Sequence, residues 1–336
     1  WAGAARPGRA GAGPAAGEEH GARLGLRLVV GAANVSVVAD GLGEQPMSTA
    51  PGLDDYRGHA RRRGPPAAPC PKVSLVTVTL NARATLARTI ESVQRQTFAD
   101  IEHVVVDGGS SDGTPELLAR ALRPQDVWIS EPDRGISDAL NKGVALARGT
   151  YVQFIHADDW LSPDQVERAV ETLERSGADF VFGDLVFYED DRPVFGYVGD
   201  PDYQRVIGSR MPALNHPTAL ARMECFRRVG LFDLRYACAM DYDWFLRLHR
   251  AGGRGVHDPG IRGHMNHDGI SNRQFHRTIR EVRAIAVAHG RHPWLAHLEA
   301  AFRHAKMASG RWTKARARPL YDFVRGGINP DFRPLR

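Results

Sequence analysis

From residue 72 onward the hydrophobic positions of this chain switch repeatedly between a strand-like and a helix-like period. Residues 73–79 form a β-branched run that gives way to polar Asn81, after which Leu86, Ile90 and Val93 recur at helical spacing. Residues 101–106 read as a strand, 114–122 as a helix opened by Asp112 and Pro115, and 127–130 as a short strand. The alternation goes on with a helix over 136–147, a strand over 151–155, one helix face made by Val166, Ala169, Val170 and Leu173, and a strand over 180–182. Past Gly183 the pattern is less regular; 224–229 and 242–249 read as helices, and 273–312 is helical and amphipathic in patches. Repeated βα units predict an α/β fold: a mostly parallel central sheet, right-handed crossovers, helices on both faces.

In a sheet of that kind ligands sit beyond the carboxyl ends of the strands. Four consecutive strand ends here carry polar residues: Asn81; then Asp107, Gly108, Gly109, Ser110, Ser111 and Asp112; then Glu131, Asp133, Arg134 and Gly135; then His156, Asp158 and Asp159. A hard divalent ion takes one or two protein carboxylates and completes its shell with phosphate and water, which suits Asp158 and Asp159. Capping of the following helix explains the same pair equally well. In the run from Asp107 to Thr114, glycines allow close backbone approach while Ser and Asp offer hydrogen-bonding groups to a ligand. A turn with a helix cap is the plainer account, and the two are compatible.

Composition changes this picture at the two ends. Residues 1–71 are rich in Gly, Ala, Pro and Arg without a sustained period, so they are expected to be mostly disordered; Met47, the first methionine, is a candidate start that would leave 1–46 outside the native protein. The net charge of +5 is unevenly spread: from Arg303 to the end nine Lys/Arg face only Asp322 and Asp331, a tail of +7 that leaves −2 for the rest. That distribution speaks against a nucleic-acid-binding body. Cys70, Cys225 and Cys238 lack metal or disulfide spacing, and no apolar run approaches the ~20 residues of a membrane span, so a cytoplasmic location is expected. Phe302, Met307, Trp312, Leu320, Tyr321 and Phe323 alternate with the tail's cations. This suits peripheral contact with an anionic membrane through residues 303–336, or a solvated helix pair packed on the body.

Five motifs in order resemble family 2 glycosyltransferases of the GT-A fold: Thr79-Leu80-Asn81, residues 105–114, Asn141-Lys142-Gly143, residues 149–159, and residues 240–248. Residues 130–143 look most like the branch that assembles bacterial exopolysaccharide. The resemblance spans 72–272, implying a catalytic domain there and a basic helical extension over 273–336. It further implies an inverting, metal-dependent transfer from a nucleotide-sugar, typically a UDP-sugar, to a glycan or lipid-linked acceptor, with Mg²⁺ or Mn²⁺ as cofactor.

Carried over by position, the resemblance implies that Thr79, Leu80, Asn81, Asp107, Gly108, Ser110, Asp112, Asp133, Gly135, Asp138, Asn141, Lys142, His156 and Ala157 line the nucleotide-sugar site, with Asp107 on the base. Asp158 would be the principal metal ligand beside Asp159, and Asp241 the general base; an N-cap is the alternative for Asp241. His216, His267 and Gly269 fall on the acceptor or lid side. The family commonly has an Asp where His156 stands and a Glu where Met240 stands, so one acid of each pair is missing. A fold of this family that binds nucleotide without transfer is therefore one alternative. A dinucleotide-dependent oxidoreductase is another, although the first strand is not followed by the GxGxxG that a pyrophosphate needs.

Overall fold

The computed structural model describes residues 26–31, 34–39, 50–56, 58, 70–189, 191–266, 274–316 and 332–334, with side chains described between 50 and 304. It divides into two units, Trp1–Ser48 and Thr49–Arg336. In the first, Leu26–Gly31 pairs antiparallel with Asn34–Ala39.

The second unit is built on an α/β core of βα units. Strand β1 (Val73–Thr79) leads to helix α1 (Arg83–Gln94), β2 (Ile101–Asp107) to α2 (Thr114–Ala121), and β3 (Val127–Ser130) to α3 (Ile136–Leu146). Strand β4 (Tyr151–His156) is followed by the two-residue β5 (Trp160–Leu161) and by α4 (Gln165–Ser176). Then come β6 (Phe180–Glu189), β7 (Arg192–Tyr197), β8 (Leu220–Arg222), α5 (Met223–Val229), α6 (Met240–Arg250) and β9 (Gly255–Asn266). Helices α7 (Phe275–Ala288) and α8 (Pro293–Arg316) precede the final strand β10 (Phe332–Pro334).

Sheet order is β10-β7-β6-β8-β4-β1-β2-β3, with β9 paired to β5 and β6. The expected parallel arrangement is found in β4-β1-β2-β3; β8 then runs antiparallel to both β4 and β6, and β9 parallel to β6. Register matters more than order for the site. Thr79 pairs with Asp107, Asp107 with Ser130, and Val78 with His156, so the polar strand ends form one row along one edge.

Alternate residues of β1 enter different cores, because side chains on a strand point to opposite faces. Val76 and Val78 pack with Leu140 and Val144 of α3 and with Phe154, Phe232, Trp244 and Phe245; Val73 and Leu75 pack with Val166, Ala169, Val170 and Leu173 of α4. Helices thus cover both faces. Helix α3 lies so close to the sheet that a Cβ at Gly143 would come within 2.3 Å of Val76 Cγ1, which is why this turn of the helix carries glycine.

The main core draws on residues from both sides of the expected 72–272 domain. Residues up to 71 are not all apart from the fold: Leu53–Tyr56 forms a 3₁₀ turn, Tyr56 is buried in the main core, and Leu231 N–H donates to Pro51 O at 2.9 Å. A short apolar foothold inside a Gly/Pro-rich stretch has no period to reveal it. Nor does packing break at residue 273, since Val282 and Ile285 of α7 belong to that same core. No helix among the described residues is long and apolar enough to cross a membrane.

Candidate active site

Asp107 ends β2 with no exposed surface and holds three strand-end loops together. Its Oδ2 accepts from Ser110 N–H at 3.0 Å and Ser130 Oγ at 2.6 Å, and its Oδ1 accepts from Ser110 Oγ. The Ser110 hydroxyl in turn accepts from Asn81 N–H at 2.7 Å, and Asn81 Oδ1 accepts from Ser111 N–H at 3.0 Å. Asn81 adopts φ +51°, a left-handed conformation that asparagine tolerates better than most residues. Asp112 bonds Thr114 N–H and Oγ1 and Arg83 N–H, fastening α2 to the start of α1. Outward from this frame stand Leu80, 58% exposed, and Asn81. The Thr79 hydroxyl is buried without a hydrogen-bond partner among the described residues.

The loop after β3 closes against that edge. A Cβ at Gly108 would meet Asp133 Oδ2 at 2.4 Å, so a larger residue here would displace the Asp133 side chain. Asp133 accepts from Gly135 N–H at 2.8 Å, and Gly135, at φ +108°, makes the bend into α3. Within α3 the polar residues are buried and committed. Asp138 accepts from Tyr56 OH at 2.5 Å and from Arg134 N–H and Nη2 at 3.0 and 2.9 Å. Burial would raise its pKa, but the bonds from Arg134 and Tyr56 outweigh that and hold it at about 2. Asn141 exchanges a pair of 2.9 Å bonds with the main chain of Phe232, and Ser137 Oγ donates to Tyr236 O. The Lys142 ammonium is buried, donating to Pro132 O at 2.8 Å with Glu131 at 3.0 Å and Asp138 at 3.7 Å. Its charge is thus matched within the loop that borders the mouth.

At the end of β4 the side chains divide by burial. Ala157 packs into a small core with Leu86, Ile90 and Leu118, so only its backbone can face a ligand. Asp158 is half-buried, and its carbonyl accepts from Asn266 Nδ2 at 3.0 Å. Asp159 is 2% exposed; its carbonyl accepts from Thr89 Oγ1 at 2.7 Å while Oδ2 has no hydrogen-bond partner among the described residues. Burial, then the charge of Asp158, pushes the Asp159 carboxyl well up. His156 and His216 lie with ring centroids 6.2 Å apart, and His216 stacks on Phe154 at 5.0 Å. Burial, then His156, lowers His216 to about 3, and its buried Nε2 lacks a hydrogen-bond partner among the described residues.

Asp241 sits half-buried in the first turn of α6, where Oδ1 accepts from Tyr242 N–H at 2.8 Å and burial raises its pKa to about 6. It shares a helix face with Phe245, one turn on. The Phe245 ring is 6.4 Å from that of His216, so this face of α6 leads back toward His156 and the β4 end. His267 and Gly269 lie outside the described residues. Sequence reasoning missed Tyr56, which braces Asp138, Asn266, which braces Asp158, and Glu281, whose carboxylate bonds the backbone just ahead of α6. Asn266 immediately precedes His267, which the sequence does single out; the other two carry no local signal.

Residues 74–231 match the family model described as Glycosyl transferase family 2. A PGL/p-HBAD biosynthesis glycosyltransferase of Mycobacterium bovis is 34% identical over 182 residues, covering 53% of this chain and 69% of the relative. The succinoglycan biosynthesis protein ExoO of Rhizobium meliloti is 31% identical over 155 residues, 46% of this chain and 44% of its own. In fold, the mannosyltransferase PcManGT of Pyrobaculum calidifontis, solved with GDP-Man and Mn²⁺, superposes with a TM-score of 0.54 at 21% identity, over 82% of this chain and 87% of that one. S. aureus TarS 1–349 with UDP-GlcNAc gives 0.51 at 16% identity, over 76% and 81%. The mixed sheet, its row of polar strand ends and these matches together make the chain a member of glycosyl transferase family 2.

Proposed function

We propose that this chain transfers a sugar, with inversion, from a nucleotide-sugar to a hydroxyl of a glycan or lipid-linked acceptor in cell-surface or exopolysaccharide synthesis. The observation that carries this reading is the register that aligns Thr79, Asp107 and Ser130 beside the strand end at His156, with Phe245, one turn after Asp241 on α6, 6.4 Å ring to ring from the His216 that neighbours His156. Thr79, Leu80 and Asn81 would border the base; Asp107, expected on the base itself, is fully buried and bonded to Ser110 and Ser130, so its role would be to shape the loop that receives the base. A UDP-sugar is the favoured donor.

The residues fit a hard divalent ion, Mg²⁺ or Mn²⁺. Half-buried Asp158 offers a carboxylate, the orphaned Oδ2 of Asp159 lies behind it, and among the described residues no cage of three or more His, Cys, Asp or Glu competes. Such an ion would take its other ligands from diphosphate and water, and would stabilise the charge that develops on the leaving group. PcManGT, solved with GDP-Man and Mn²⁺, supports the same assignment. Asp241 accepts the proton of the acceptor hydroxyl as its oxygen bonds the anomeric carbon and the bond from that carbon to the diphosphate oxygen breaks. A single displacement assisted by this one base gives inversion.

A second reading, nucleotide binding without transfer, is favoured by His156 standing where the family commonly has an acid. Thermal shift with UDP- and GDP-sugars in Mn²⁺ or in EDTA, followed by a transfer assay, decides between them. A donor at 100 Kd stabilises by about 2.7 kcal/mol. We expect that shift with Mn²⁺ and its loss in Asp158→Ala. Binding without turnover on any acceptor would favour the second reading, and no shift under either condition would sink both.

A further inference from the structure

Helix α6 starts without a capping side chain, because the residue at its N-cap is Ala239. The carboxylate that stands there comes from 42 positions later in the sequence. Glu281 of α7, 8% exposed, accepts from three successive backbone N–H groups: Ala237 at 3.1 Å, Cys238 at 2.7 Å and Ala239 at 3.0 Å, all to Oε2. Arg277, one turn earlier on α7, donates from Nε to Oε1 at 2.8 Å and fixes the carboxylate's orientation. Three N–H groups converging on one anion form a rigid nest, and a negative charge ahead of a helix N-terminus also suits the helix dipole.

We propose that Glu281 is a positioning residue for the transfer reaction, setting the first turn of α6 and with it the place of the Asp241 carboxylate. Asp241 lies two residues beyond the last N–H that Glu281 holds. Release of those bonds frees the segment 237–239 to turn, and a displacement of an ångström at a reacting group costs on the order of 100-fold in rate. The C-terminal extension thereby enters the chemistry without touching substrate. The inference rests on the assignment of Asp241 as base.

The test uses the full chain with Glu281→Gln, Glu281→Ala and Arg277→Ala, measuring kcat and donor KM together with the Mn²⁺-dependent thermal shift by nucleotide-sugar. We expect kcat of the Glu281 variants to fall by roughly 10- to 100-fold with donor KM and shift unchanged, and Arg277→Ala to lose less in the same direction. Native kcat in a folded Glu281→Ala overturns the proposal, as does an equal loss of donor binding, which would mark a general scaffold role. If neither Glu281 variant folds, the half-exposed Arg277 decides, and native kcat in Arg277→Ala overturns it. Asp241→Asn runs alongside: native transfer there shows instead that the base was wrongly assigned.

Discussion

Tyr56 donates its hydroxyl to Asp138 at 2.5 Å across 82 positions of sequence, joining the segment ahead of the α/β fold to a helix beside the candidate site. Arg134 approaches both, donating from Nη2 to Asp138 at 2.9 Å and to Tyr56 OH at 3.2 Å.

The folded pKa of Asp138, about 2, lies below its ordinary 3.8, because the bonds from Arg134 and Tyr56 outweigh burial. Its stabilisation is therefore fully present above about pH 4 and is lost as pH falls through 2. Asp138→Asn should cost about 2 kcal/mol at pH 7 in urea unfolding, and much less at pH 2.5. An equal cost at both pH values would refute the charge argument.

For Asp241 the sign is reversed. Burial raises its folded pKa to about 6, so folding takes up a proton between 3.8 and 6 and stability falls as pH rises through that window. Asp241→Asn should raise Tm at pH 7.5, by up to about 3 kcal/mol of stability, and match the native protein below pH 4. Transfer should fall by roughly 10²- to 10⁴-fold while donor binding survives, and native kcat should decline below about pH 6. A destabilised Asn variant at pH 7.5 would contradict the burial argument.

Trp294, Leu298 and Phe302 recur every four residues on α8 and are 58%, 62% and 68% exposed, an apolar stripe at the head of the +7 tail. An anionic bilayer suits both, each basic residue near its surface contributing about 1 kcal/mol. The full chain should float with vesicles containing phosphatidylglycerol and remain behind with phosphatidylcholine alone. Serine at all three positions should weaken flotation; failure of the native chain to float with the anionic vesicles rules out the membrane contact expected of residues 303–336.

The strand ends are legible in the sequence because each apolar run of β1, β2, β3 and β4 gives way to polar residues, and parallel register does the rest. Strand β9 is harder to see, since Asp258, Pro259 and Gly260 interrupt it at a register shift between His257 and Arg262. The burial of α3 is concealed as well: Ser137, Asp138, Asn141 and Lys142 look like a solvent face, and only tertiary hydrogen bonds let them enter the interior. Glu281 reads as half of an ordinary i,i+4 surface pair with Arg277, because its partners are backbone N–H groups that every residue but proline possesses.

The same feature of α3 bears on how this protein can vary. Ser137, Asn141 and Lys142 bond to main-chain atoms of Tyr236, Phe232 and Pro132. A carbonyl oxygen is the same acceptor whatever side chain accompanies it, so a second substitution at those partners cannot rescue a lost first one. Contacts of this kind leave no correlated pairs in a family's divergence, and methods that infer proximity from covariation will be blind to these three bonds, in contrast to the side-chain pair of Tyr56 and Asp138.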